Sequence, residues 1–275
     1  MENCRTTEQE SKLILNIKTN NLNMEEQKGM KGVMQKKEII ILIILIIILS
    51  HLVFLFGYKY VLFNKTFYEK EFAKNGVYSI THVVTKEQLN KTIVLEEHNN
   101  VMDFLVGKDK KKKDNIKAKE DIINSTFLSS QDKTHLNDVR ELMKKVDYYS
   151  VILVLILFGL FFYLHFKHKD KKDCLFSKAI MYSGIFNLGL LLILYLLSLN
   201  FEWFFTKFHT IFFNNDFWLM NPNVDMLVNL YPEQFWIDAL IKILFTVLIV
   251  SVIFVMVGLL SLYGIKKQQN VIHKL

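Results

Sequence analysis

This 275-residue sequence has little cysteine, proline, glycine and arginine. Its two cysteines, Cys4 and Cys174, occur without any CxxC or zinc-binding spacing, so neither a disulfide framework nor a structural metal site is indicated. Glycine and proline are scarce, and the hydrophobic 51% of the residues is gathered into long runs. This pattern is typical of an integral membrane protein rather than of a soluble core.

Negative charge is also in short supply, since the formal net charge is +7. The excess comes mostly from lysine, because Arg5 and Arg140 are the only arginines. A basic chain can bind nucleic acid, but the long apolar runs make anionic lipid headgroups the expected partners and nucleic acid an unexpected one.

Several catalytic signatures are missing from the sequence. It has no GxSxG nucleophile motif, no phosphate-binding loop and no HExxH zinc motif. The apolar runs carry few charges and no broken-helix signal, which disfavours a channel or transporter. No metal and no cofactor are therefore expected.

Four apolar runs are each long enough to cross a membrane as a helix. The first, 39–57, has nineteen residues, which at ~1.5 Å per residue approaches the ~30 Å of a hydrocarbon core. It lies too far from the start, and is too long, for an ordinary cleaved signal peptide. The sequence therefore predicts an all-α membrane protein with four transmembrane helices and a small helical extracellular cap.

Lysines predict the orientation of these spans. Lys36 and Lys37 precede the first span, residues 167–172 (KHKDKK) join the second and third, and Lys266 and Lys267 follow the fourth. The positive-inside rule places all three basic flanks, and both termini, on the cytoplasmic side of the membrane. The predicted segments are a cytoplasmic tail (1–38), span one (39–57), an extracellular cap segment (58–147), span two (148–166), a cytoplasmic basic loop (167–178), span three (179–199), an aromatic-rich extracellular segment (200–238), span four (239–263) and a cytoplasmic tail (264–275).

The first cap segment is predicted to contain two helices. Residues 85–88 (TKEQ) resemble a capping box, which would open the first helix and let it end near Gly107. Its apolar side would carry Val94, Val101, Met102 and Leu105. The lysine-rich residues 107–120 are expected to be a solvated tip, with lipid headgroups as the alternative ligand.

The second predicted helix begins at Thr134. Its apolar face contains His135, Val139, Leu142 and Val146. A straight run into span two would hold His135 ~15–20 Å above the bilayer, at 1.5 Å per residue. The apolar face favours instead a helix that bends over and lies on the membrane surface.

Residues 201–236 form the most unusual stretch. It holds all three tryptophans, both prolines and nine further aromatic rings, with His209 among them. Such rings gather where a chain leaves hydrocarbon for headgroups, so an interfacial belt between two spans is one interpretation. We expect this stretch and the first cap segment to form one cap, with His135 and His209 at the same level.

Each histidine near the cap has two interpretations. His135 is either a surface residue at a helix start or a neutral general base, oriented by Asp138 one turn away. His209 is either a polar ring in an aromatic belt or a proton-transfer partner in a water-poor pocket. His51, inside span one, is either a functional residue or a group with an interhelical hydrogen bond. Asp238 and Lys242 are expected to pair at the top of span four.

The motif HLNDVR (135–140), followed by FHTIFFNNDFWLMNPNVDMLVNLYPEQFW (208–236) on a four-span chain, carries a family resemblance. Over residues 39–265 the sequence resembles the bacterial lipoprotein intramolecular transacylases. That family moves the sn-2 acyl chain of an S-diacylglyceryl-cysteine lipoprotein onto the cysteine's own α-amino group, which gives the lyso form.

The resemblance implies an acyltransferase whose two catalytic histidines correspond to His135 and His209. The residues expected to bind substrate or support the site are Asp138, Phe208, Phe212, Phe213, Trp218 and Asp225. Diacylglyceryl lipoproteins are then the substrate partners, and the chain is expected to be a monomer. The alternative is a non-enzymatic membrane module whose cap binds a peptide or a partner protein.

Overall fold

In the computed structural model, residues 34–106, 122, 125–167 and 172–272 are described. Residues 1–33, the whole lysine-rich tip (107–120), His168 and His273 lie outside the described residues. The helices are α1 (Lys36–Leu62), α2 (Lys65–Lys74), a 3-10 turn (Val77–Ser79), α3 (Lys91–Val106), α4 (Ser130–Lys167), α5 (Lys172–Ser198), α6 (Phe201–Phe212), α7 (Leu227–Leu230) and α8 (Glu233–Ile272). Four of them, α1, α4, α5 and α8, are long and apolar enough to cross a membrane. The predicted all-α membrane fold with four spans is thereby confirmed.

The chain divides into two compact units within α1, Met1–Ile44 and Leu45–Leu275. In the first unit, α1 begins with Glu38 in its first turn, where the carboxylate accepts a hydrogen bond from the Gln35 backbone N–H at 3.1 Å. A carboxylate at this end suits the helix dipole. The second unit holds the rest of α1 and everything that follows.

Helices α5 and α8 pack along one another over most of their length. Two glycines permit this approach. A β-carbon on Gly184 would lie 2.6 Å from the Ser251 carbonyl oxygen, and one on Gly258 would lie 2.7 Å from the Met181 nitrogen. Small residues let membrane helices approach closely, so these glycines fix the distance between the two spans.

The membrane core of the second unit also includes α1. Val53 of α1 is buried with Leu191 of α5 and Val247 of α8. These three spans therefore share one packed layer.

The cap core lies under α2, α3, the start of α4 and the segment around α7. It is rich in aromatic rings, with Phe72 fully buried among Tyr68, His98 and Phe235. The predicted apolar side of α3 is confirmed, because Val94 and Val101 are buried and Met102 and Leu105 pack against the same core. Burial of this many rings holds the cap together as one body.

The predicted capping box at 85–88 is wrong. Helix α3 begins at Lys91, and its cap is Asn90, whose side chain accepts from the Ile93 N–H at 3.1 Å. Residues 82–87 form a tight turn instead, with Lys86 at φ +60°. The buried His82 ring stabilises this turn, because its Nδ1 accepts a hydrogen bond from the Thr85 N–H at 3.1 Å. This N–H is therefore satisfied by a side chain in the turn.

The predicted bend after the second cap helix is also wrong. Helix α4 runs from Ser130 to Lys167 without interruption. Its start is a capping box that the sequence reading missed: Ser129 Oγ accepts from the Asp132 N–H, and Asp132 Oδ2 accepts from the Ser129 N–H, both at 3.0 Å. The cap helix and span two are therefore one rod of thirty-eight residues.

Candidate functional site

His135 and His209 lie side by side, on α4 and α6 respectively, with ring centroids 5.9 Å apart. Both side chains are buried. The structure therefore brings together two residues that are 74 positions apart in the sequence.

Helix α6 presents His209 inward and apolar side chains outward. It begins after Asn200, whose side chain accepts from the Trp203 N–H at 3.1 Å. His209 is its one buried residue, whereas four of its large apolar side chains are exposed. The exposed ones are Trp203, Phe208, Ile211 and Phe212. This amphipathic pattern is typical of a helix lying at a membrane surface.

The backbone of α6 fixes the tautomer of His209. The ring Nδ1 lies 2.7 Å from the Phe205 carbonyl oxygen, which can only accept, so Nδ1 carries the proton. In the neutral imidazole the other nitrogen, Nε2, then holds a free lone pair. Burial lowers the pKa of His209, and the bond to Phe205 opposes this shift only in part. The ring is therefore neutral near pH 7 and able to accept a proton.

Aromatic rings surround His209. Phe205 and Trp218 lie at 4.0 and 4.8 Å between ring centroids, with Trp218 stacked on the imidazole. Phe213 contacts both histidine rings, at 5.2 Å from His135 and 5.6 Å from His209. Phe208 meets His209 edge-on at 5.3 Å. Faces of aromatic rings stabilise a nearby cation, so these neighbours favour the imidazolium once it forms.

Two differences from the predicted set of aromatic residues are clear. Phe212 packs on Phe208 and is half exposed, away from the two histidines. Phe205 contributes both the nearest ring and the carbonyl that fixes the tautomer, but it was not among the predicted site residues. Its position four residues before His209, one helical turn, was the signal that could have identified it.

Burial lowers the pKa of His135 to about 4, with the neighbouring His209 as the second cause and Asp138 acting in the opposite direction. Its ring nitrogen Nδ1 is buried and has no hydrogen-bond partner among the described residues. A buried polar atom without a partner is costly, so this nitrogen has hydrogen-bonding capacity that the described residues do not use.

Side chains from the start of α4 grip the loop between α6 and α7. Asp138 Oδ2 accepts from Asn215 Nδ2 at 2.9 Å, so this carboxylate anchors the loop rather than orienting the His135 ring. Gln131 Nε2 donates to the carbonyls of Phe217 and Leu219, at 3.3 and 2.8 Å. These two bonds flank Trp218 and hold its ring over His209.

Two buried carboxylates, Asp132 and Asp225, form hydrogen bonds between the start of α4 and the same loop. Asp132 accepts from the backbone N–H groups of Met226 and Leu227, at 2.9 and 3.3 Å, in addition to capping α4. The predicted Asp225 accepts from Ser129 Oγ at 2.6 Å and from the Asn221 N–H at 2.7 Å. Asp225 is therefore a structural support that lies away from the rings, and Asp132 is a second support that the sequence reading missed. The pattern Ser129-x-x-Asp132 was the available signal.

The other described candidates lie away from this pair. His51 is exposed, and its Nδ1 bonds to the Ile47 carbonyl of its own helix at 2.8 Å. The predicted Asp238–Lys242 pair is wrong, because Asp238 binds Lys74 and Gln234, while Lys242 Nζ lies 5.3 Å from the centre of the Phe67 ring. Over the described ranges, no three His, Cys, Asp or Glu side chains are grouped closely enough to hold a metal ion.

Comparisons with known proteins show what the chain is similar to. The family model described as "Lipoprotein intramolecular transacylase Lit" matches residues 39–236. No curated protein matches the chain. The solved structure of the membrane-integral lipoprotein intramolecular transacylase Lit from Bacillus cereus is 20% identical, with a TM-score of 0.60 over 86% of this chain and 98% of that chain.

Two variants of that Bacillus cereus protein, each with a histidine replaced, are similar as well. The arginine variant is 19% identical, with a TM-score of 0.59 over 92% of this chain and 99% of that chain. The alanine variant is 19% identical, with a TM-score of 0.59 over 90% and 99%. These likenesses show a shared fold, and the family match covers most of the chain. The chain therefore belongs to the lipoprotein intramolecular transacylase Lit family.

Proposed function

We propose that this protein transfers the sn-2 acyl chain of an S-diacylglyceryl-cysteine lipoprotein onto the α-amino group of the same cysteine. The family membership supports a transacylase, and the adjacent buried rings of His135 and His209 support the chemistry. The observation that carries the proposal is the His209 Nδ1–H bond to the Phe205 carbonyl, because it leaves Nε2 as a free proton acceptor in a buried site.

The reaction is balanced within one substrate molecule. The α-amine attacks the sn-2 ester carbonyl, an amide C–N bond forms, and the bond between the acyl carbon and the glyceryl oxygen breaks. One proton leaves the amine and one is delivered to the glyceryl oxygen. Because both reacting groups belong to one molecule, orientation alone supplies much of the acceleration, with effective molarities of ~10⁵–10⁸ M in well-oriented cases.

The two histidines take different roles in this proposal. His209 accepts the amine proton at Nε2, since its other nitrogen is committed to Phe205. His135, whose Nδ1 has no partner in the described part of the chain, donates from Nδ1–H to the developing oxyanion or to the departing glyceryl oxygen, and the His209 imidazolium returns its proton to that glyceryl oxygen. Phe213 and Trp218 exclude water from the rings, which disfavours hydrolysis of the ester.

The pH profile follows from the lowered pKa values. The sequence alone suggests an activity that rises near pH 6–7, as for an unperturbed imidazole. Burial lowers the pKa of both rings, so their protonation limits the rate only at lower pH. The rise that remains near neutral pH then belongs to the substrate α-amine, whose pKa is about 8.

The test is expression of this chain in cells that make only diacylated lipoproteins. Fragment-ion mass spectrometry should find N-acyl, S-monoacylglyceryl termini of unchanged total mass. A non-enzymatic binding module would leave both acyl chains on the glyceryl group, and that result would overturn the proposal.

We further propose that the cap faces outward and both termini face the cytoplasm, as the basic flanks predict. With Cys4 and Cys174 replaced by serine, a cysteine at Lys111 should react with an impermeant maleimide in intact cells, and one at Lys171 should react only after lysis. The reverse labelling pattern would contradict this orientation.

A further inference from the structure

A cavity of about 460 Å³ lies between α2 of the cap and the cap end of α8, and the residues assigned to the reaction do not line it. Its polar wall includes Asn64, Thr66, Lys70 and Lys242. Its lower wall is formed by Ile241 and Phe245 of α8. A polar upper wall above an apolar lower wall matches the division between a lipid headgroup and its acyl chains.

The two cavity lysines have no carboxylate partner among the described residues. Lys70 is exposed, and Lys242 Nζ lies 5.3 Å from the centre of the Phe67 ring, where it makes a cation–π contact. By contrast, Lys74 beside the cavity is bound to Asp238 at 2.5 Å and lies 3.6 Å from Glu71. Glu71 and Asp238 also line the cavity, so with Lys74 counted three lysines stand against two carboxylates, which leaves one positive charge in excess.

Glu71 adds an acceptor to the same cavity. Its Oε2 is buried and lacks a hydrogen-bond donor, with the Lys74 ammonium 3.6 Å away. Burial, followed by the nearby Asp238, raises the pKa of Glu71. A ligand that carries a hydroxyl next to its negative charge would give this oxygen a donor while the lysines bind the charge.

The apolar wall faces the lipid. Ile241 and Phe245 lie one turn apart on α8 and expose 59% and 60% of their surfaces. Phe245 is further from the cap than Lys242, so the cavity continues from the lysines onto the side of a span. Lysines near the end of a membrane helix reach headgroup level, which places their charges beside lipid phosphates.

We propose that this cavity is a binding site for an anionic phospholipid with a hydroxylated headgroup. Lys70 and Lys242 bind the phosphodiester, Glu71 accepts from a headgroup hydroxyl, and Ile241 and Phe245 pack against the acyl chain. The occupant is a lipid of the surrounding bilayer rather than the lipoprotein substrate, and it would brace α2 against α8.

The experiment uses the purified full-length protein in a neutral detergent. Phosphatidylglycerol and phosphatidylcholine are titrated separately, and retained lipid is counted by native mass spectrometry. The wild-type chain should retain phosphatidylglycerol preferentially. The Lys70→Gln, Lys242→Gln double variant should lose about fivefold in affinity for each lysine, or roughly 25-fold together.

A charge-matched control removes two cap-side lysines of α4 instead, as Lys144→Gln with Lys145→Gln. Its retention of phosphatidylglycerol should be unchanged. Equal loss in both double variants would show a general effect of surface charge and overturn the site. Full displacement of the lipid by inorganic phosphate would show that the acyl chains contribute nothing, which would also overturn it.

The lipid-retention measurement is independent of the proposed catalytic activity, since no acyl transfer is measured. Thermal unfolding of each variant without added lipid checks that the fold is intact. Phosphatidylglycerol should then raise the unfolding temperature of the wild type and of the control, but not that of Lys70→Gln, Lys242→Gln, because a ligand stabilises only the state that binds it. A rise in all three proteins would contradict the proposed site.

Discussion

Two pairs of histidines in this molecule are similarly buried but differently placed. His82, His98, His135 and His209 expose 4%, 5%, 8% and 7% of their surfaces. His82 binds the Phe127 carbonyl through Nε2 and accepts two backbone N–H groups at Nδ1, so both of its nitrogens are used. His98 is bonded to the Tyr231 hydroxyl at 2.8 Å. These two rings hold the cap core together.

The pair on α4 and α6 leaves nitrogens without protein partners. His135 Nδ1 is unpartnered in the described part of the chain, and only Nδ1 of His209 is bonded. Burial lowers the pKa of both His98 and His135 to about 4, so the pKa alone does not separate a structural histidine from a reactive one. His98 and His209 each use one ring nitrogen, so the difference lies in placement: His135 and His209 lie 5.9 Å apart between ring centroids, and the His135 Nδ1 has no hydrogen-bond partner in the described part of the chain.

The largest expected effect is loss of the proposed catalytic pair, His135 and His209. His135→Ala and His209→Ala should each lower the transfer rate by ~10²–10⁴-fold, as for a missing acid or base. The double variant should fall little further, because residues that act as one unit are strongly non-additive. Rates are measured by mass spectrometry on purified protein. His51→Ala serves as the control, and a His209→Ala protein with full activity would contradict the assignment.

Loss of His98 should act on stability rather than on chemistry. His98→Ala leaves a cavity among aromatic rings and removes the partner of the Tyr231 hydroxyl, so we expect about 3 kcal/mol of lost unfolding free energy. The rate per folded molecule should stay near the wild-type value. Thermal unfolding and activity are measured on one preparation. A large rate loss at unchanged stability would erase the distinction between the two pairs.

A third prediction concerns pH. His98 and His135 have a pKa of about 4 when folded, against about 6.5 when unfolded, so the unfolded state binds more protons between these values. Their contribution to stability is complete above about pH 6.5 and is lost as the pH falls towards 4. At pH 5 each should cost about 2 kcal/mol.

The unfolding temperature should therefore fall between pH 7 and pH 5. His98→Asn keeps a hydrogen-bonding group beside Tyr231 but does not titrate, so its unfolding temperature should fall less over the same range. An identical pH dependence in His98→Asn and in the wild type would show that this ring does not contribute.

The smallest effect is expected from Gln131→Ala. This change frees the carbonyls of Phe217 and Leu219 and loosens Trp218 over His209. Two bonds of about 1 kcal/mol or less each should translate into a roughly fivefold slower transfer with little change in stability. Gln234→Ala, which loses a bond to Asp238 instead, is the matched control. Equal rates for both variants would remove Gln131 from the positioning of the site.

Composition and periodicity were sufficient to predict the spans, because hydrocarbon imposes a length and an apolar run on each one. They also predicted the apolar face of α3, where Val94 and Val101 are buried. The two histidines were expected at one level of the cap because a bend was predicted, and they do lie together although α4 has no break. Their catalytic role came only from the family resemblance, since no local pattern links residue 135 to residue 209.

The contacts that build the site could not be predicted in this way. Whether 85–88 is a capping box or a turn depends on His82, which is buried by distant parts of the cap. The bend expected in α4 was inferred from an apolar face, of which His135 is buried and Val139, Leu142 and Val146 are half-buried, and the helix nevertheless continues without interruption. Asp132 bonds to Met226 and Leu227, 94 and 95 residues away, and no sequence window spans that distance.

Because α4 is unbroken, the relative position of the His135 and His209 rings depends on the tilt of the spanning helices. His135 is thirteen residues from Tyr148, where the predicted span begins, which is about 20 Å along the helix axis. Its partner His209 belongs to α6, which follows α5 after two residues. The two rings are thus attached to different spans, His135 to α4 and His209, through α6, to α5. Helix tilt adjusts to bilayer thickness, so a thicker or thinner bilayer would change the distance between the two rings although neither histidine is altered.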